Sequence, residues 1–254
     1  MIPDAPEPIK PKSWKEFFQE NASTYDENGF AQNSLVEVQF LIDLMQLKPG
    51  MKLLDMGCGT GRHAVLFAEK GIQVTGVDFS SEMLEVARKK AEIQGLDIEW
   101  VEADATTFGR VAAFDAAICI CEGGLGLLDH HEDGVSHDLA ILGSIAGSLK
   151  QGAPFVSTAL NGYRTIRMMQ DENVNQGSFD PVNMVCFYAD QMHTASGPID
   201  MQIKERLFIP PEMVALMTHS GFAVEHVWGG TAGEWGKRPL RLDEIEVMYV
   251  AKRK

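Results

Sequence analysis

The run LLDMGCGTGRHA, Leu53 to Ala64, decides how the rest of the chain is read. Leu53 and Leu54 close a short apolar stretch. Asp55, Gly57, Gly59 and Gly61 then fall at alternate positions, and a helix-like segment runs to Lys70 with Gly71 as its stop. The pattern predicts strand, tight turn, helix. Glycines two apart let the backbone turn sharply and approach a ligand, because no Cβ stands in the way. The helix that follows directs free N–H groups and its positive dipole end to the same place, which suits a carboxylate or a phosphate. Asp55, at the strand end, can accept from a cation such as an ammonium.

The spacing is G-x-G-x-G, and Arg62 stands where the dinucleotide fingerprint G-x-G-x-x-G needs its third glycine. This argues against a nicotinamide or flavin site; a bare loop with no ligand is the other alternative. The segment IQVTGVDFSSEML, Ile72 to Leu84, predicts a second strand ending in Asp78, with Ser80 or Ser81 as N-cap and Glu82 in the first helical turn. An acid at that strand end is where such folds bond a ribose, so the ligand contains a nucleoside. DIEWVEADATTF predicts a third strand ending in Asp104, within reach of an adenine amino group.

LLDMGCGTG, VTGVDFSSEML and EADATTF, in this order, resemble the first three binding motifs of the class I S-adenosylmethionine-dependent methyltransferases. The resemblance is close over Leu47 to Leu128. It implies an S-adenosyl-L-methionine cofactor, released as S-adenosyl-L-homocysteine. It further implies that Asp55, Gly57, Cys58, Gly59 and Gly61 hold the methionine end. Asp78, with Phe79 and Met83, would take the ribose side, Asp104 and Ala105 the adenine, and Tyr25 and Cys121 would close the pocket. The fold expected is α/β: a three-layer Rossmann-like methyltransferase sheet of seven strands, mostly parallel with the last antiparallel, and a small β insertion after strand 5.

A chain of 254 residues with 45% hydrophobic and 23% charged residues is an ordinary globular composition. No apolar run reaches membrane-spanning length, and MIPDAPEPIKPK lacks the order of a signal peptide, so a cytoplasmic address is expected. Cysteines 58, 119, 121 and 186 read as reduced thiols rather than a disulfide framework. A net charge of -14, with basic residues clustered only at Lys252, Arg253 and Lys254, disfavours nucleic acid and favours a small-molecule acceptor.

Along the chain, prolines at 3, 6, 8 and 11 predict an extended lead-in, and Trp14 to Phe18 a short amphipathic turn of helix. Ser34 and Glu37 read as a capping box opening a helix with Leu35, Val38, Leu41, Ile42 and Met45 on its packed face. Phe114 to Leu128 reads as a strand ending in Glu122 and a second glycine turn. Cys119 and Cys121 are placed on one face of that strand as packing residues, and no metal site is expected. Its carboxyl end faces the binding crevice, so Glu122, His130 and His131 are the candidate catalytic groups. Solvated loop histidines are the alternative.

Residues 161–208 show alternating runs at 185–190 and 199–208 around the turn Ser196-Gly197-Pro198, which predicts an antiparallel hairpin. Family members place acceptor recognition in such an insertion, which makes Tyr163, Arg167, Phe187 and Tyr188 acceptor-side candidates, with Arg164, Phe179 and His193 behind them. FAVEHVWGG and DEIEVMYVAKRK are the last two strands, joined too briefly for a parallel crossover, so they should pair antiparallel. The segments are 1–48 (N-terminal cap and helix), 49–160 (cofactor core), 161–208 (acceptor-side insertion) and 209–254 (completion of the sheet).

The expected function is methyl transfer to a small molecule by in-line displacement, in a monomer or homodimer. The alternatives are a noncatalytic S-adenosylmethionine-binding regulatory subunit and a nicotinamide-dependent oxidoreductase.

Overall fold

Alternation of apolar residues along the predicted strands gives both faces of one sheet a helical layer to pack on. The computed structural model describes residues 13–194 and 197–254, and the side chains of these apart from 188 and 190–199. The proline-rich lead-in, the Ser196 turn and the side chains of Tyr188 and His193 lie outside the described residues.

The strands are β1 (Lys52–Met56), β2 (Gln73–Asp78), β3 (Glu99–Glu102), β4 (Ala116–Cys119), β5 (Leu127–Leu128), β6 (Pro154–Leu160), β7 (Phe179–Asp180), β8 (Val185–Thr194), β9 (Gly197–Arg206), β10 (Phe222–Gly229) and β11 (Glu246–Arg253). The larger sheet has seven strands in the order β10-β11-β6-β4-β1-β2-β3. β1, β2, β3, β4 and β6 run parallel, whereas β11 is antiparallel to both β6 and β10. The reversed strand therefore lies inside the sheet, wedged between β10 and β6.

One face of the sheet packs Leu53, Ile118, Val156 and Val250 against α2 (Ser34–Met45), α3 (Arg62–Glu69) and α4 (Ser81–Ile93). The other packs Leu54, Ala117, Phe155 and Tyr249 against α5 (Gly134–Ser148) and α8 (Pro210–His219). Neighbours in sequence alternate between the two layers, as strand geometry requires. Among the described residues no helix is long and apolar enough to cross a membrane.

A second sheet, ordered β5-β9-β8-β7, meets the first just past the carboxyl end of β6, where Asn161 bridges Phe208. The insertion is thus larger than a hairpin: β8 and β9 pair along their lengths, β7 flanks β8, and β9 reaches back to pair with β5. Two short helices, α6 (Gly162–Met168) and α7 (Asp171–Asn175), precede it. The sheet is tied down by Arg206, 1% exposed, whose guanidinium bonds Asp138 on α5 at 2.6 Å and Glu212 on α8. The N-terminal helix α1 (Trp14–Asn21) opens with a Ser13/Glu16 capping box and packs Phe17 against Met201 and Ile203 of β9.

Three local expectations are corrected. Asn33, not Ser34, is the N-cap of α2, and Ser34 Oγ donates to Ala31 O. Glu37 is drawn away into a buried ion network, and Leu35 is 62% exposed rather than packed. The third strand stops at Glu102, because Asp104 Oδ1 accepts from the amide and hydroxyl of Thr106 and turns the chain. The fourth stops at Cys119, because Cys121 and Glu122 take left-handed conformations (φ 52° and 63°), which also removes Cys121 from the face of Cys119.

Candidate functional site

The glycine turn is held open by its own hydrogen bonds. Gly57 N and Cys58 N donate to Val77 O, and Gly59 N donates to Asp78 Oδ2 at 2.8 Å, which joins the ends of β1 and β2. All three glycines have positive φ, but they do different work. A Cβ on Gly57 would fall 2.6 Å from Gly123, in the second glycine turn, and one on Gly61 would fall 2.6 Å from Trp100. A Cβ on Gly59 would meet nothing within 4 Å, so that backbone faces free space.

That space is a cavity of about 410 Å³ running over the strand ends. Its floor is Gly57, Gly59 and Asp78; Phe79, Met83, Asp104 and Ala105 continue one side, and Gly123, Gly124, His137 and Ile141 the other. Trp14, Phe18 and Tyr25 from the N-terminal segment form the roof. The roof is fixed by Asp26, which accepts from Thr60 Oγ1 in the glycine turn and pairs with Lys90 on α4. A smaller pocket of about 40 Å³ adjoins it through Tyr25, Gly57, Gly59 and Cys121, and adds Asp55, Cys58, Arg62 and His63.

Charge in the small pocket is arranged around Arg62. Its guanidinium bonds Ser34 Oγ at 2.7 Å, Glu37 at 3.1 Å and Cys121 Sγ at 2.8 Å. Glu37 also takes His63 Nε2 at 2.7 Å and Gly233 N at 3.1 Å. Burial pushes the His63 imidazole down to about 4, which leaves it neutral and Arg62 as the local cation. Asp55 is 2% exposed, and its Oδ2 has no hydrogen-bond partner. Burial raises this carboxyl to about 7, against the pull of Arg62. A buried, unmatched acceptor at the edge of a pocket calls for a donor from outside the chain.

Behind the second glycine turn, Glu246 accepts from Thr158 Oγ1 at 2.5 Å and from the amide of Glu122. Burial, then the Glu246 charge, raises the Glu122 carboxyl well above its ordinary range. Burial, then Glu122, likewise raises the Tyr25 phenol.

Of the predicted cofactor residues, Tyr25, Asp55, Gly57, Cys58, Gly59, Asp78, Phe79, Met83, Asp104, Ala105 and Cys121 line one or both cavities. Gly61 does not; it is the N-cap of α3, packed under Trp100. His130 and His131 are exposed and line neither cavity, because the loop turns them outward while Lys204 Nζ bonds the carbonyl of His130. Glu122 is close by, its carboxyl raised by burial and by the neighbouring Glu246 charge. Of the acceptor-side candidates, Arg167 pairs with Asp243 on the surface, Phe187 is 37% exposed, and neither they nor Tyr163 line either of these two cavities. Sequence reasoning missed Trp14, Phe18, Arg62 and His137 as wall residues. Only the HHEDGVSH cluster gave a signal for the last of these, and it did not say which histidine turns inward.

Comparison with known proteins adds an independent line. Residues 53–137 match a family model described as a methyltransferase domain. Over these residues the chain is similar to a methyltransferase domain. A ubiquinone biosynthesis O-methyltransferase of Actinobacillus pleuropneumoniae is 33% identical over 56% of this chain and 62% of its own length. A demethylmenaquinone methyltransferase of Thermus thermophilus is 42% identical over 30% of this chain and 36% of its own. The chain thus matches between about a third and three-fifths of the length of these relatives. The CcbJ methyltransferase of Streptomyces caelestis superposes with a TM-score of 0.73, 18% identity, and coverage of 93% of this chain and 97% of that one. The fold therefore extends well past the segment in which the sequence match lies.

The cavity fits S-adenosylmethionine on its own chemistry. The bare Asp55 oxygen and the Arg62 guanidinium offer complementary charges for an amino-acid end. Gly59 leaves the cradle a Cβ would fill, and Asp78 and Asp104 offer carboxylates along the nucleoside path. A diphosphate fits poorly: Asp78, Glu102, Asp104, Asp129 and Glu132 line the larger cavity, and Lys15 is the only Lys or Arg among its described lining residues.

Proposed function

We propose that the chain is an S-adenosylmethionine-dependent methyltransferase acting on a small-molecule acceptor. The observation that carries this reading is the pairing of a glycine cradle open at Gly59 with the unmatched, buried Asp55 carboxylate beside Arg62. The bound cofactor supplies a methyl group on a sulfonium, already activated for in-line displacement. Asp55 and Arg62 hold the amino-acid end, Asp78 the ribose, and Asp104 with Ala105 the base. Trp14, Phe18 and Tyr25 cover the site and exclude water, so that orientation supplies most of the acceleration. The turn Cys121 to Gly124, braced from below by Thr158 and Glu246, forms the wall the acceptor meets.

Residues 49–160 are assigned to the cofactor, 1–48 and 161–208 to covering and shaping the acceptor side, and 209–254 to completing the sheet. The name of the Actinobacillus relative points to hydroxyl acceptors as the first to screen. Four free cysteines accord with action in the cytoplasm, and a monomer or homodimer is the proposed state.

Calorimetric titration with S-adenosylmethionine, S-adenosylhomocysteine and NAD tests the reading, followed by transfer assays over hydroxyl, amine and thiol acceptors. Binding of the sulfonium cofactor without NAD, and turnover of one acceptor class, is the expected result. Cofactor binding with no transfer to any class would favour a regulatory subunit, and NAD binding alone an oxidoreductase.

A further inference from the structure

Cys121, Glu122, Gly123 and Gly124 all have positive φ, at 52°, 63°, 58° and 101°, and for the two that carry a Cβ this conformation is strained. Such strain persists only where neighbours fix it. From the sheet side, Cys121 N donates to Thr158 Oγ1 at 2.8 Å and the Glu122 amide donates to Glu246. Cys119 Sγ lies 3.7 and 3.5 Å from the carbonyl oxygens of Glu122 and Gly123. Among the described residues, one hydrogen bond reaches the turn from the cofactor side: Arg62 Nη2 donates to Cys121 Sγ at 2.8 Å.

Arg62 is the first residue of α3, directly after the first glycine turn, so this bond joins the two turns. They also touch at Gly57, where a Cβ would fall 2.6 Å from Gly123, and Cys121 lines both cavities at this junction. Ser34 Oγ and Glu37 engage Nη1 at 2.7 and 3.1 Å and hold the guanidinium from its other end. Nη2 carries two hydrogens. Cys121 takes one; the other has no partner among the described residues, and Arg62 lines the small pocket. Burial, then the Glu246 charge, push the Cys121 thiol up against the pull of Arg62, so the guanidinium meets a neutral sulfur, a weak acceptor.

Resting on the S-adenosylmethionine reading, we propose that Cys121 is a positioning residue that couples the cofactor's amino-acid end to the acceptor wall. The free Nη2 hydrogen takes the ligand's carboxylate, which fixes the guanidinium. The guanidinium in turn fixes the Cys121 sulfur, and the sulfur fixes the strained turn that the acceptor meets. The wall is therefore firm only when cofactor is loaded, which favours binding of cofactor before acceptor. By linkage, an acceptor that settles on the turn tightens the cofactor by the same factor. A nucleoside lacking the amino-acid end fills the cradle yet leaves the wall loose.

The test is hydrogen exchange of the full chain, read by mass spectrometry over peptides spanning 57–61 and 121–125. Saturating S-adenosylhomocysteine is compared with saturating 5′-methylthioadenosine, which keeps the nucleoside and the sulfur and lacks the amino acid. In the wild type, S-adenosylhomocysteine should slow exchange about tenfold in both turns, as one charge-assisted hydrogen bond would. The truncated ligand should protect the first turn alone. With S-adenosylhomocysteine bound, Cys121→Ala should keep protection of the first turn and lose that of the second. Cys121→Ser, whose hydroxyl still accepts from Arg62, should restore it. Protection of the second turn at the wild-type level in Cys121→Ala, or by 5′-methylthioadenosine, would overturn the role of Cys121. So would loss of S-adenosylhomocysteine binding by folded Cys121→Ala, which would make the residue a direct contact. No binding by the folded wild type would instead overturn the cofactor reading beneath it.

Discussion

At Asp55 the chain buries a carboxyl with one oxygen unmatched, raised by burial from the ordinary aspartate range to about 7. A carboxyl whose folded pKa is raised contributes stability that is complete below about pH 4 and is lost as pH climbs through about 7, because the folded state holds the proton longer. The unliganded protein should therefore lose up to about 4 kcal/mol from this group over that window. Chemical denaturation of Asp55→Asn across the same range should give a flatter profile, together with weaker cofactor binding. Asp78 bonds Gly59 N and Ser80 N, so it shapes the turn as well as facing the cavity. Asp78→Ala should cost about 1–3 kcal/mol in cofactor affinity by calorimetry. Gly59→Val meets no steric neighbour but places a branched side chain at φ 52° in the cradle. It should abolish binding while the circular dichroism of the sheet persists. His130→Ala and His131→Ala, on exposed positions, should leave turnover unchanged; a loss in either would restore that residue as a candidate base.

Two elements hold the cavity closed from above. Helix α1 docks through Phe17, 7% exposed, and through a ring cluster in which Trp14 stacks on Phe18 at 5.8 Å and Phe18 meets Phe79 edge-on at 6.0 Å. Phe17→Ala removes the anchor without touching the cavity wall, so cofactor should dissociate faster in stopped-flow fluorescence while the global unfolding midpoint moves little. The second sheet depends on Arg206 and Asp138, whose side chains are 2% and 0% exposed. Removing one partner of such a pair strands a buried charge, so Arg206→Met should cost about 3–5 kcal/mol in urea unfolding. Arg206→Met combined with Asp138→Asn should recover part of that loss, since the fully buried Asp138 is then neutral and only the part-exposed Glu212 loses its partner. Strand-level reading located β1, β2, β6, β10 and β11 because each carries a run of apolar residues ending in a turn signal. It overran β3 and β4, whose ends are set by the Asp104–Thr106 turn and by the left-handed pair Cys121–Glu122. The left-handed pair leads into Gly123, which lies against Gly57, a contact across the sheet that no local pattern encodes.

For the molecule as a whole, a cofactor that binds only the folded state should stabilise it by mass action, by about 2.7 kcal/mol at a free concentration of a hundred times Kd. A thermal melt that rises with S-adenosylmethionine and not with NAD would show this without an acceptor in hand. The seven-stranded sheet and the path from Asp55 through Asp78 to Asp104 were legible in the chain alone. Period-2 apolar strands, glycine spacing and acids at strand ends are local features, and the carboxyl ends of parallel strands necessarily meet on one edge. The acceptor side was not legible. Tyr163, Arg167 and Phe187 were chosen for residue type, yet type does not say which way a surface helix or an edge strand faces. Likewise, four residues of one short segment, His130, His131, Glu132 and His137, differ only in where β9 and the buried Arg206–Asp138 pair pin the loop. Sequence by itself determined the sheet, its order of acids and the cradle, because those follow from backbone geometry over a few residues. Which histidine turns inward, that Arg62 sits in a buried ion network, and that α1 roofs the cavity were decided by contacts between segments far apart in the chain, and only the folded structure brings these together.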